Sequence, residues 1–152
     1  MQQANISSHL VPVIIIGPRT SPTKSHIRYK IPESVTSIGR GAFYSCSDMT
    51  SINIPEGITE IKGETFAGCS FLTSIKIPKN VVSIGYGAFD YCRNLKAYYC
   101  YATTPPILSA GPYSTFYQSY LYRRLYVPVG CVSAYKASDW GTAFDYYIYE
   151  MK

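Results

Sequence analysis

The 152 residues predict an α/β chain folded as a right-handed solenoid of stacked 23-residue coils, with a parallel β-sheet on its concave face and a non-repeat C-terminal cap. The first observation is that unlike residue types recur together at one step. Ile31-Pro32, Ile54-Pro55 and Ile77-Pro78 are 23 apart, as are Ile38, Ile61 and Ile84; Phe43, Phe66 and Phe89; and Cys46, Cys69 and Cys92. The series Met49, Leu72, Leu95 and Tyr29, Ile52, Ile75, Tyr98 keep the same interval. The second observation is that each unit alternates outward polar and inward apolar residues before its proline, the period of a half-buried strand. The third is that one such unit buries too little apolar surface to stand alone, so units of this kind occur in arrays.

The unit that ends at Ile77 shows how a coil is built. Ser74-Ile75-Lys76-Ile77 reads as a short strand with both isoleucines inward, and Pro78, which has no amide proton for a ladder, ends it. Val81 and Ile84 turn inward along a second extended piece, and Gly85 permits the bend. Residues 88–92 then read as a helical turn with Phe89 and Cys92 on one face. Stacked about 4.8 Å apart, such coils align every column into a ladder.

Residues 29–128 hold the repeats, with an insertion near 101–115. Phe116 precedes Val127-Pro128 by 11 residues, the interval from Phe43 to Ile54, so a further coil exists with four extra residues after Phe89. Pro105-Pro106 and Gly111-Pro112 place them in a loop. Residues 129–152 read as the cap: a short helix at 132–137, a final strand at 146–151, and Trp140 and Phe144 to cover the open end. Residues 1–28 read as a degenerate capping coil or as a tail. With Val11-Pro12 aligned on Ile31-Pro32, Ile15 and Ile16 fall in the column of Ile38 and Gly17 makes the bend. The Phe and Cys columns fall on Thr20 and Thr23, so that coil keeps one apolar side and turns a polar one to water.

Hydrophobic residues make up 47% of the chain and charged ones 15%, which excludes intrinsic disorder. The net charge of +5 is uneven: Arg19, Lys24, Arg28 and Lys30 face no acid in the first thirty residues, and the rest holds ten basic and nine acidic side chains. That spread is too thin for a nucleic-acid patch. Nothing approaches the roughly 20 apolar residues of a membrane span. No secretory signal is readable, because residues 1–8 lack a basic residue and the apolar run at 10–16 is short and broken by Pro12.

The unit IPEGITEIKGETFAGCSFLTSIK from Ile54 to Lys76 resembles the leucine-rich repeats of the BspA-like type, strongly over about residues 29–100. The stretches Tyr101-Ala102-Thr103-Thr104-Pro105-Pro106, Leu125-Tyr126-Val127-Pro128-Val129-Gly130 and Ala134-Tyr135-Lys136-Ala137 look like the closing segment of bacterial members. The resemblance implies a right-handed leucine-rich-repeat solenoid, a secreted or cell-surface setting, and adhesion or recognition of host or matrix proteins.

Candidate chemistry is sparse. The cysteines of the 23-residue column lack the two-to-four-residue gaps of zinc sites and read as buried, reduced fillers. Cys100 takes the inward place of Ile77, and Cys131 that of Ile58 and Val81. His9 and His26 lie outside the regular repeats, and no nucleophile, base and acid can be grouped on one face. Gly39-Arg40-Gly41 and Gly85-Tyr86-Gly87 are repeated bends rather than phosphate loops. The reading is therefore of a non-enzyme without metal or cofactor.

Twelve of the 16 tyrosines lie from Tyr98 onward, suited to recognition or to end capping. Tyr98, Tyr117 and Tyr135 are assigned to packing, and Tyr99, Tyr101, Tyr120, Tyr122 and Tyr126 to the surface. Counting by the repeat, one outward strand column is Lys30, Asn53, Lys76, Tyr99, Tyr126 and the other Arg28, Ser51, Ser74, Ala97, Arg124. Neither contains an acid. The candidate face is Arg28, Lys30, Asn53, Lys76, Tyr99, Arg124 and Tyr126, suited to a protein or an acidic glycan. The rival reading is a spacer fragment of a longer array that binds nothing.

Overall fold

The computed structural model describes residues 27–152 and, upstream of them, the two-residue strand Val13–Ile14 (β1). Two series of strands alternate along the chain. The longer series is β2 (Ile27–Lys30), β4 (Met49–Asn53), β6 (Ser74–Ile77), β8 (Ala97–Cys100), β10 (Arg124–Val127) and β11 (Ile148–Glu150). Between them run β1, β3 (Ser37–Ile38), β5 (Glu60–Ile61), β7 (Ser83–Ile84) and β9 (Ile107–Leu108). Every pairing is parallel and joins like positions of successive coils, as a stack of repeats requires.

The single sheet expected from the sequence is hydrogen-bonded in two parts, β2 with β4 and β6-β8-β10-β11. β4 and β6 still lie side by side. The second extended pieces are strands in their own right, paired as β1-β3 and β5-β7-β9. At the N-terminal end Ile14 stands opposite Ile38, so the expected placement of Ile15 and Ile16 in that column is one or two residues late. The rest of residues 10–26, including the expected bend at Gly17, lies outside the described residues.

The expected helical turn at 88–92 is a different object. Its amides divide their bonds. Ala88 and Cys92 donate three residues back, to Gly85 and Phe89, whereas Gly87, Phe89 and Tyr91 donate to Ser114, Thr115 and Tyr117 of the next coil at 2.7, 3.0 and 2.8 Å. A helix would spend all of these along its own axis; here every second one joins coil to coil. Aiming them outward needs left-handed backbone at two positions per coil: Gly41, Glu64 and Gly87 (φ 58 to 63°), and Ser45, Gly68, Tyr91 and Gln118 (φ 52 to 75°). Glycine fits there without cost, and the other residues carry roughly 1 kcal/mol of backbone penalty each.

The core is a set of ladders. The rings of Phe43, Phe66, Phe89 and Phe116 are parallel to within 9°, with centroids 5.5 to 5.8 Å apart. Beside them Cys69 and Cys92 donate their thiol protons to the carbonyls of Phe43 and Phe66 at 3.2 and 3.1 Å. Burial pushes both thiols up, Cys92 to about 12. None of the five cysteines is in a disulfide. Cys131 departs from its expected inward place: it is half-buried at the start of α2 (Val132–Lys136), against the rim of the core.

The insertion splits. Leu108 pairs with Ile84, 24 residues on, while Thr115 receives the Phe89 amide, 26 residues on, where the regular coil has Thr65 over Phe43 at 22. One extra residue thus precedes β9 and three surround α1 (Pro112–Thr115). The stack ends with α2 and α3 (Asp139–Phe144), the latter opened by Ser138, whose hydroxyl accepts from the Trp140 amide at 3.3 Å. Gly141 lets α3 pass the end of α2, since a Cβ there would sit 2.1 Å from the Lys136 carbonyl oxygen.

Candidate recognition face

The outward residues of the longer strands form two columns because side chains in register alternate across a strand. Lys30 is opposite Asn53, and Lys76, Tyr99, Tyr126 and Tyr149 follow one another on β6, β8, β10 and β11. Arg28 is opposite Ser51, and Ser74, Ala97 and Arg124 are likewise in line.

The face is not uniform along its length. Towards its C-terminal end the rings of Tyr99 and Tyr126 stack at 4.8 Å and 12°, and Tyr149 continues the pile at 5.8 Å and 33°. Alongside runs a groove of ≈ 800 Å³ walled by these rings, Tyr101, Arg124 and Met151, with Glu150 and Lys152 at its rim. Arg124 is exposed and makes no side-chain hydrogen bond or ion pair among the described residues, so its guanidinium fork is available. Glu150 is partly committed, its Oε1 accepting the Gly130 amide at 2.9 Å. A second groove of ≈ 540 Å³ lies between Ser51, Asn53, Ser74 and Lys76, and Tyr101 belongs to both.

Lys76, Tyr99, Arg124 and Tyr126 are therefore brought together around adjoining grooves, and Arg28 and Lys30, on β2, lie outside both. Asn53 is placed on the face but its amide is spent. Its Oδ1 accepts from the Ile31 amide at 2.9 Å and its Nδ2 donates to the Ile31 carbonyl at 3.1 Å, prolonging the β2–β4 ladder by a side chain. The columns are free of acids, but each groove has one carboxylate at its edge, Glu56 or Glu150. Tyr149 was missed although it lies 23 residues beyond Tyr126, the same interval that separates Lys30, Asn53, Lys76 and Tyr99. Among the tyrosines, Tyr98 and Tyr135 are fully buried, but Tyr117, expected in the core, is 52% exposed with its ring edge-on to Tyr91. It directly follows Phe116, which takes the inward position.

No helix among the described residues is long and apolar enough to cross a membrane, and no group of three metal-ligating side chains converges there.

The family model described as the BspA type leucine-rich repeat region, in six copies, matches residues 21–128. The chain belongs to the BspA-type leucine-rich repeat family. Repeats of this type are generally non-enzymatic and fit a binding or recognition module. The fold is also that of a leucine-rich cell surface protein of Faecalibacterium prausnitzii A2-165 known from its crystal structure, at a TM-score of 0.51 and 23% identity over 97% of this BspA-type chain. The chain spans 37% of that longer protein. No curated protein matches it.

Proposed function

We propose that this BspA-type chain is a non-enzymatic recognition module that acts at the cell surface and holds a protein or an acidic glycan on its strand face. The stack Tyr99-Tyr126-Tyr149 beside the free Arg124 guanidinium carries this reading. Flat rings held in place by their neighbours lose little conformational entropy on binding, and an unpaired guanidinium accepts a carboxylate or sulfate in bidentate fashion. Lys76, opposite Tyr99, adds a second positive charge two strands from Arg124. The cell-surface setting is supported by the leucine-rich surface protein that shares the fold.

A glycan array and a panel of matrix proteins, probed with the purified chain, test the proposal. Any ligand found should lose about 2 kcal/mol, near 30-fold in affinity, when Arg124 and Tyr126 are both replaced by alanine, because both line the larger of the two grooves. Undiminished affinity would move the site off this face. Silence across both panels would return the chain to the role of a spacer.

A further inference from the structure

A separate cavity of ≈ 310 Å³ opens between the turns, where the coil carrying Tyr86 and Asp90 meets the coil carrying Tyr113 and Tyr117. That size is at the lower end of small-ligand sites, about 300–1,000 Å³. The bonds from Gly87 to Ser114 and from Tyr91 to Tyr117 fix the register of the two coils. Tyr86 and Tyr113 therefore stand on adjacent rungs, and Asp90 and Tyr117 on adjacent rungs beside them. The three tyrosines are 54%, 78% and 52% exposed, yet they surround a half-buried carboxylate.

The charges at this point do not balance. Asp90 Oδ1 accepts the Tyr117 amide at 2.8 Å, and no hydrogen bond or ion pair among the described residues engages Oδ2. Oδ2 lies over Gly87, where a Cβ would come within 3.1 Å of it and 3.3 Å of Glu64 Cγ. Glu64 is paired with Arg40 at 3.3 Å, and no cation among the described residues pairs with Asp90. Burial raises the Asp90 carboxyl above the usual aspartate range, and the Glu64 charge adds to the effect. The site is short of one positive charge, and it is walled by tyrosine rings, whose π-systems attract cations.

We propose that this cavity binds an alkylammonium headgroup, with the Asp90 carboxylate as counter-ion and Tyr86, Tyr113 and Tyr117 as the aromatic wall. The headgroup is carried by a lysine side chain of a partner or by a small quaternary ammonium compound; both offer the same chemistry to the cage. The site is independent of the strand face and of whatever binds there.

The test is an NMR titration of the ¹⁵N-labelled chain with tetramethylammonium chloride, against neutral neopentyl alcohol as shape control at constant ionic strength. The cation alone should give saturable shifts at the amides of Gly87, Asp90, Ser114 and Tyr117, with Kd on the order of 1–10 mM. Asp90→Asn, which keeps an oxygen for the Tyr117 amide, should weaken binding about five-fold or more, and Tyr113→Leu, at the most exposed wall, about three-fold. Acetyl-lysine amide with a free side-chain ammonium and its trimethylated form separate the two sources by their relative affinity. Equal shifts with neopentyl alcohol, no saturable shift with the cation, or unchanged affinity in a folded Asp90→Asn or Tyr113→Leu protein would overturn the proposal.

Discussion

The body of the stack and its C-terminal cap solve the same packing problem in opposite ways. In the body each ring lies parallel to the one before: Phe43, Phe66, Phe89 and Phe116 differ by 6 to 9°. The cap rings meet the body edge-on, while Trp140 and Phe144 stack on each other at 20°. Phe144 meets Phe116 at 82° and Tyr98 at 81°, and Trp140 meets Phe116 at 63°. A parallel ring leaves a face that asks for another ring, whereas an edge-on ring closes the face. The polar atoms differ in the same sense. In the body the thiols repeat one bond to the coil before, while in the cap the Tyr135 hydroxyl donates to the Ala102 carbonyl at 2.7 Å and Trp140 Nε1 donates to that of Pro106 at 2.8 Å. Arg123 completes the closure, with its guanidinium 5.2 Å from the rings of both Phe116 and Phe144 and one nitrogen donating to the Ala143 carbonyl at 2.6 Å. Translation extends the core; rotation ends it.

The largest expected effect is at the cap. Trp140→Ala should cost about 3–5 kcal/mol in chemical denaturation, because it removes a fully buried ring and strands the Pro106 carbonyl together. A loss below about 1 kcal/mol would show that the stack does not depend on its cover.

In the body, Cys69→Ala should cost roughly 1 kcal/mol or more. Cys46, Cys69 and Cys92 should react with a thiol reagent only on denaturation, and the half-buried Cys131 should react first. Rapid native labelling of the three ladder thiols would contradict their place in the core. Because the folded thiols of Cys69 and Cys92 titrate above their unfolded value, the stability they contribute is whole below that value. It is lost as pH rises from about 9 towards 12.

The smallest effect is a gain. Ser45 holds left-handed backbone in the column where the next coil has Gly68, so Ser45→Gly should raise stability by up to about 1 kcal/mol. An unchanged or lowered unfolding midpoint would show that the coil does not carry the backbone penalty assigned to that column.

The cap and the repeats also differ in how far they could be read in advance. A ladder demands the same shape at every rung, so the body writes its structure into the chain as a period. The strands, the phenylalanine and cysteine columns, the further coil with Phe116 and the two outward columns of the strand face all follow from the 23-residue step once the four inserted residues are allowed for. Tyr149 follows from it too, once the last strand is counted as a rung. Where translation fails, so does that reading. The split of the insertion into one residue and three, the place of Ile14 rather than Ile15 or Ile16 opposite Ile38, and the outward turn of Tyr117 each depend on which neighbour a residue meets. The turns of residues 41–46 and 87–92 read as helical because their apolar spacing suits a helix; every second amide instead finds a carbonyl in the adjacent coil, a partner 22 to 27 residues away. Asn53 shows the same limit within the candidate site. It stands in the expected column, but only the proximity of the Ile31 backbone decides that its amide serves the ladder, while Arg124, Tyr126 and Tyr149 line the open groove.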